Sequence, residues 1–189
     1  MGSESATALE VALDELVEGF LVATRDRHDR DPRQQHDPDW PSSCEQGLPD
    51  DYGFVTWRPV RRDTPADFSG LATAFEAEIH PDFSRYFGRY WSDPLPASGL
   101  CGRVELLQLW NPADEERLVE NQIGHVLQMQ RERRPLTLFF ACGDNPDQLY
   151  SLDNASGQVL REDLPKRKAR VVAESLTTFL EGLSAEPGA

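Results

Sequence analysis

Four histidines and three cysteines are the side chains of this sequence best suited to metal or nucleophilic chemistry. They are His28, His36, His80 and His125, with Cys44, Cys101 and Cys142. No His pairs with another His or a Cys at metal-ligand spacing. His36 with Asp37 and Asp39 could touch a cation, but a Pro-rich stretch gives such oxygens little organisation, and a solvated cluster is expected. His125 lies within a helical pattern, beside Ile123 and Val126. A general base there needs a partner acid and a pocket, and no second catalytic group stands out. The expectation is a structural His125, hydrogen-bonded between its helix and the neighbouring sheet. Three widely spaced cysteines fit neither a disulfide framework nor a CxxC zinc site, and read as free thiols. GxSxG, P-loop and GxGxxG patterns are absent from the sequence. No cofactor and no metal are expected.

What remains is charge. The 189 residues carry 33 acids against 19 bases, a formal net charge of -14. Such a surface repels phosphate backbones and anionic membranes and attracts basic partners, faster at low salt. General solubility is the plainer reading of the same number. The acids are, however, segregated. Residues 1–24 hold five acids and no base, and residues 63–130 hold eleven acids and four bases. Bases gather at Arg131, Arg133 and Arg134 and again at Lys166, Arg167, Lys168 and Arg170. Glu76, Glu78, Asp82, Asp114, Glu115, Glu116 and Glu120 are the candidate residues of one negative, partner-binding face.

The elements that must position these acids follow from pattern. Thr7 and Glu10 form a capping box. Leu9, Leu13, Leu16, Val17 and Phe20 then repeat at helical spacing. Residues 25–49 read as an irregular polar loop, punctuated by Pro32, Pro38, Pro41 and Pro49. Tyr52–Val60 reads as a strand. Thr64-Pro65 opens a second helix, with Phe68, Leu71, Phe75 and Ile79 inward and Pro81 as its end. The aromatics Phe83–Trp91 are expected to fill core. Val104–Trp110 is a strand. Asn111-Pro112 starts a helix that runs to about Gln130, with Val119, Ile123, Val126 and Leu127 inward. Leu136–Cys142 is a central strand buried on both faces. Leu149–Leu152 and Gln158–Arg161 flank a turn at Asn154–Gly157, and a last helix covers Pro165–Leu183. The strands at Tyr52, Val104, Leu136, Leu149 and Gln158 are expected to share one sheet. The fold class is α/β (α+β), a mixed, largely antiparallel sheet with packed helices, in one domain over 1–189 with a flexible tail at 185–189. No secretory signal or membrane span is legible, so any membrane association is expected to come through a protein partner.

The run Leu106–Ala141, LLQLWNPADEERLVENQIGHVLQMQRERRPLTLFFA, resembles the core motif of the Syd family. The family pattern there is LLQ-x-W, an acidic helix start, ENLIGHL, and a basic stretch before PPTLFIA. Gly157-Gln158-Val159, Arg167-Lys168 and Pro41-Ser42-Ser43-Cys44 resemble its SGEV, TRKR and PSPC elements. Gln122 stands where the pattern has leucine, and Leu136 where it has a second proline. The resemblance implies a fold of the SUKH superfamily with a concave acidic surface. It implies a protein, not an enzyme, that binds the cytosolic basic loops of SecY on the cytoplasmic side of the bacterial inner membrane, and monitors or restrains SecY that is not properly assembled. Within the same superfamily the alternative is an immunity protein that blocks a basic toxin. An extract passed over the immobilised chain separates the two, by recovery of SecY or of a nuclease-like toxin.

Overall fold

The computed structural model describes residues 6–188. Helix α1 (Ala8–His28) begins as the capping box dictates. The Thr7 side chain accepts from the Glu10 N–H, and Glu10 accepts from the Thr7 N–H. Leu9, Leu13, Leu16, Val17 and Phe20 are all buried. The helix stops where Asp29 turns left-handed, at φ +54°. The polar stretch after it is not wholly irregular. It contributes β1 (Arg33–Gln35) and β2 (Glu45–Gln46), which pair on either side of β3 (Phe54–Trp57) in a small separate sheet. The strand read around Tyr52 therefore does not join the main sheet. β4 (Val60–Arg61) follows it.

The next segment also departs from expectation. α2 (Ser69–Phe75) is a short helix, closed by a left-handed Glu76. Pro81 does not end it. Pro81 instead opens α3 (Pro81–Arg89) at the position where its missing N–H costs nothing. The His80 side chain accepts from the Asp82 N–H at 3.2 Å and caps this helix. Phe83, Tyr86 and Phe87 are fully buried, as core filling requires. β5 (Tyr90–Trp91) then pairs with β4.

The main sheet has seven antiparallel strands. In space they run from β11 (Lys168–Ala173) through β10 (Val159–Asp163), β9 (Gln148–Asp153), β8 (Thr137–Gly143), β7 (Gly102–Leu106) and β6 (Leu95–Gly99) to β12 (Leu183–Ala185). β8 is central, and Leu138, Phe140 and Ala141 are fully buried on it. α4 (Pro112–Arg131) packs on β8, and α5 (Leu176–Glu181) sits between the two edge strands in sequence. The long C-terminal helix read over Pro165–Leu183 is thus a strand followed by a short helix. Its apparent stripe joins Val172, which belongs to β11, to Leu176, Phe179 and Leu180, which α5 buries behind a Ser175 cap. On α4 the inward face is also turned from that expected. Leu118, Gln122, Val126 and Met129 are buried, whereas Leu127 is 46% exposed. The expected tail makes backbone contacts as far as residue 188, and residue 189 lies outside the described residues. The Glu186 N–H donates to the Pro96 carbonyl at 2.8 Å, and the Gly188 N–H to the Thr24 hydroxyl at 2.9 Å.

The turn between β9 and β10 shows how tightly these parts close. Asn154 accepts from the His80 N–H and donates to the Glu78 carbonyl, tying the turn to the start of α3. Gly157 has φ +74°, and a Cβ there lies 2.6 Å from the His80 Nε2 atom. Left-handed backbone costs an L-residue about 1–2 kcal/mol, before any clash. Gly157→Ala should therefore lower the unfolding free energy by about 2 kcal/mol or more, read by urea denaturation. A loss below about 0.5 kcal/mol, the scale of a neutral surface change, means that His80 moves away freely.

Candidate functional site

The start of α4 gathers the charge and the chemistry that could hold a partner. Asn111 caps the helix, its Oδ1 accepting from the Asp114 N–H at 2.9 Å. Its amide also donates to the Pro41 carbonyl at 3.0 Å. The Ser42 hydroxyl donates to the Trp110 carbonyl at 2.5 Å, and the Trp110 indole N–H donates to the Trp40 carbonyl at 3.1 Å. Segment 40–44 is thereby fixed onto the Trp110-Asn111 corner. Pro41, Trp91, Trp110 and Pro112 line an open dish of about 410 Å³ there.

Carboxylates rim this corner. Asp114 accepts from the Trp110 N–H at 3.0 Å and stays half-buried. Glu105 lies on β7 between Val104 and Leu106, both of which are buried, so strand alternation turns it to the opposite face. Asp93 follows β5. Burial, then the nearby carboxylates of Glu105 and Asp114, push the Asp93 carboxyl up to about 6. Among the described residues no Lys, Arg or His forms an ion pair with any of these three. Neither Asp93 nor Glu105 was among the acids expected. Glu105 was legible by alternation between two inward residues; nothing in the spacing around Asp93 marks it. Burial also holds Cys44 at about 11 and raises the Cys142 thiol, so neither is an ionised nucleophile near neutral pH.

The expected acids divide. Glu116 and Glu120 are exposed on α4, and Glu76 and Glu78 are exposed at and just beyond the end of α2, which packs against α4. Asp82 pairs with Arg85 at 3.1 Å. Glu115 faces inward, 2.6 Å from Arg62, which is 3% exposed and stacks over Trp91. It also accepts from the Asp67 N–H. Its charge is spent inside the molecule. The positive end of the helix dipole favours Asp114 and Glu115 in any case, by about 0.3–1 kcal/mol each. Glu105, Glu116 and Glu120 have no such compensation.

His125 is hydrogen-bonded between α4 and β8. Thr137 donates its single hydroxyl proton to Glu162 Oε1 at 2.9 Å, so the His125 Nε2–H must donate to Thr137 Oγ1, 3.0 Å away. Burial lowers the His125 pKa, which suits this neutral donor. His36 is turned to Glu45, with Nδ1 3.0 Å from the carboxylate.

The state of Asp93 has a measurable consequence. An acid raised in the folded state binds its proton more tightly there than in the unfolded chain. Stability therefore falls as the pH rises from about 4 towards 6, and stays depressed above. Asp93→Asn should stabilise the protein by about 3 kcal/mol at pH 7.5 and by much less at pH 4, where Asp93 is neutral in the folded state. Urea denaturation at both values checks it. Equal gains at both would assign the effect to packing.

The family model described as Syd protein (SUKH-2) matches residues 10–185. A protein named Protein Syd from Aeromonas hydrophila is 42% identical over 156 residues, covering 82% of this chain and 85% of that one. Those from Shewanella frigidimarina and Pseudoalteromonas atlantica are 38% and 37% identical, over 92% and 78% of this chain and 81% and 80% of theirs. The matched span contains the whole α4 corner and all seven main-sheet strands, β12 closing it, and the chain belongs to the Syd family.

Proposed function

We propose that this protein is a binding protein that engages the cytosolic basic loops of SecY, and that it monitors or restrains SecY that is not properly assembled. In this reading it acts as one domain on the cytoplasmic side of the inner membrane and reaches the membrane only through SecY. It needs no cofactor and performs no catalysis. No helix among the described residues is long and apolar enough to cross a membrane. The observation that carries the reading is the group Asp93, Glu105 and Asp114, continued by Glu116 and Glu120 on α4. Keeping carboxylates together, one of them raised to about 6, costs stability. A cationic loop seated there offsets that cost. The dish beside Trp91 and Trp110 suits the aliphatic stems of Lys and Arg, whose heads then meet the acids.

The test uses SecY in lipid nanodiscs, alone and with its companion subunits. The protein should bind SecY alone more tightly. Affinity should fall steeply between 0.05 and 0.5 M salt, because surface charges are screened over about 8 Å at physiological ionic strength and less above it. Binding that ignores salt, or no binding to either form, would remove the proposal.

A further inference from the structure

The basic run Lys166–Arg170 has no place in an acidic face, yet it forms an edge of the main sheet. β11 ends the sheet, so one side of its backbone lacks a strand partner. Lys166 is tied to Asp163 at 2.6 Å, and Arg167 to Glu132 at 3.3 Å. Lys168, Arg170 and the neighbouring Arg161 form no ion pair among the described residues. Arg161 and Arg170 are direct cross-strand partners. Like charges in that position destabilise a sheet, and here they do so in a protein with acid to spare.

The register fixes which way they point. Arg170 pairs with Arg161, Arg161 with Tyr150, Tyr150 with Ala141, and Ala141 with Leu106. Paired residues share a face, so both arginines lie on the side of Leu106, opposite Glu105. This is not the acidic corner. Beside them runs a groove of about 490 Å³, between β11 and the turn that joins β6 to β7. Val172, Ala173, Phe179, Leu183 and Leu100 line it, and Leu100 is wholly exposed.

We propose that the free edge of β11 docks an extended acidic segment of a partner protein, which adds a strand to the sheet, seats an apolar side chain in the groove and sets carboxylates against Lys168, Arg170 and Arg161. Strand addition uses backbone groups that are already aligned and unpaired. Ala173 and Leu183 of the groove lie on the same face as Arg161 and Arg170, so one row of the added strand, every second residue, carries first the carboxylates and then the apolar side chain. A lysine on an edge strand is a common guard against aggregation. That accounts for Lys168, but not for Arg161 one strand inward or for an open apolar groove at a guarded edge. A second copy pairing through β11 would set these cations against their own copies. A bilayer would meet a net charge of the wrong sign.

The test titrates the full chain with a fluorescent, end-capped Glu-Val peptide of about eight residues, the length of a sheet strand, in which every second residue reads Glu, Glu, Val, Val and the residues between are Thr. A Lys-Val peptide and phosphatidylglycerol vesicles serve as comparisons. The Glu-Val peptide should bind saturably, despite the acidity of the protein. It should shift backbone amide resonances at 100–101, 168–173 and 183 in the unmodified protein. Lys168→Glu with Arg170→Glu, both exposed positions, should weaken it more than tenfold and let the Lys-Val peptide bind instead. Circular dichroism verifies that this variant folds. Shifts confined to other strands, or equal affinity in the variant, would refute the proposal. So would binding of vesicles but not peptide, or dimerisation through this edge in sedimentation.

Discussion

Replacing Arg134 by Met should lower the unfolding free energy by about 3–5 kcal/mol, because it strands a buried carboxylate. Glu162 on β10 is completely buried, and its Oε2 lies 2.5 Å from the Arg134 guanidinium. Its other oxygen accepts from Thr137 and lies 3.7 Å from His125. This chain of groups links α4 to β8 and β10, and the loop after α4 supplies the only permanent positive charge in it. Methionine fills much of the volume of the arginine stem, so the loss measures charge rather than a cavity. The double variant Arg134→Met with Glu162→Gln should recover at least half of the loss, since both charges then leave together. Urea unfolding of the two single variants and the double variant gives the coupling directly. A single-variant loss below about 1 kcal/mol would make this an ordinary surface pair, and α4 would have to be held by its apolar contacts alone.

Such a network explains why some of the fold was legible in the sequence and some was not. α1 was legible because its cap and its apolar stripe lie within one local stretch. The same holds for the Asn111-Pro112 start of α4, the apolar run of β8 and the hairpin of β9 and β10. The face of α4 was harder, because Gln122 is buried to donate to the Phe139 carbonyl at 2.6 Å. A hydrophobic period scores that residue as outward. β6 and β12, Leu-Pro-Ala-Ser-Gly and Leu-Ser-Ala, carry no β-branched residue and exist through their pairing with each other and with β7. β11 was hidden by a helical spacing that continues by chance into α5. In the candidate site, Glu115 read as a surface acid of a helix start. Its partner Arg62 is 53 residues away, and no local pattern reveals such a pair. Asp93 was missed for the same reason, since its burial and then the nearby carboxylates of Glu105 and Asp114 make it unusual, and all of these arise from tertiary contacts.

Changing Glu105, Glu116 and Glu120 together to Lys should weaken binding to SecY more than tenfold, mainly by slowing association. All three are exposed and none forms an ion pair among the described residues, so the fold should survive. Each reversal removes an attraction and adds a repulsion. At about 0.2–1 kcal/mol for an exposed charge contact, six such changes amount to about 1–6 kcal/mol, and the 1.4 kcal/mol of a tenfold loss lies near the bottom of that range. Glu116 and Glu120 are four residues apart on α4, and like charges at that spacing destabilise a helix by about 0.2–0.5 kcal/mol whether both are acids or both are lysines. The reversal at Glu105 also removes its repulsion of Asp93, so thermal stability should hold or rise while binding collapses. The matched control is Glu15, Glu18 and Asp26 to Lys on the exposed side of α1, the same change in net charge at a helix that packs against α3, α5 and β12. This control should slow association by no more than about threefold, the long-range effect of net charge alone. Surface plasmon resonance on SecY nanodiscs at 0.15 M salt reads both rates. If the two triple variants lose affinity equally, the partner senses only the overall charge of -14, and the α4 corner has no special part in recognition.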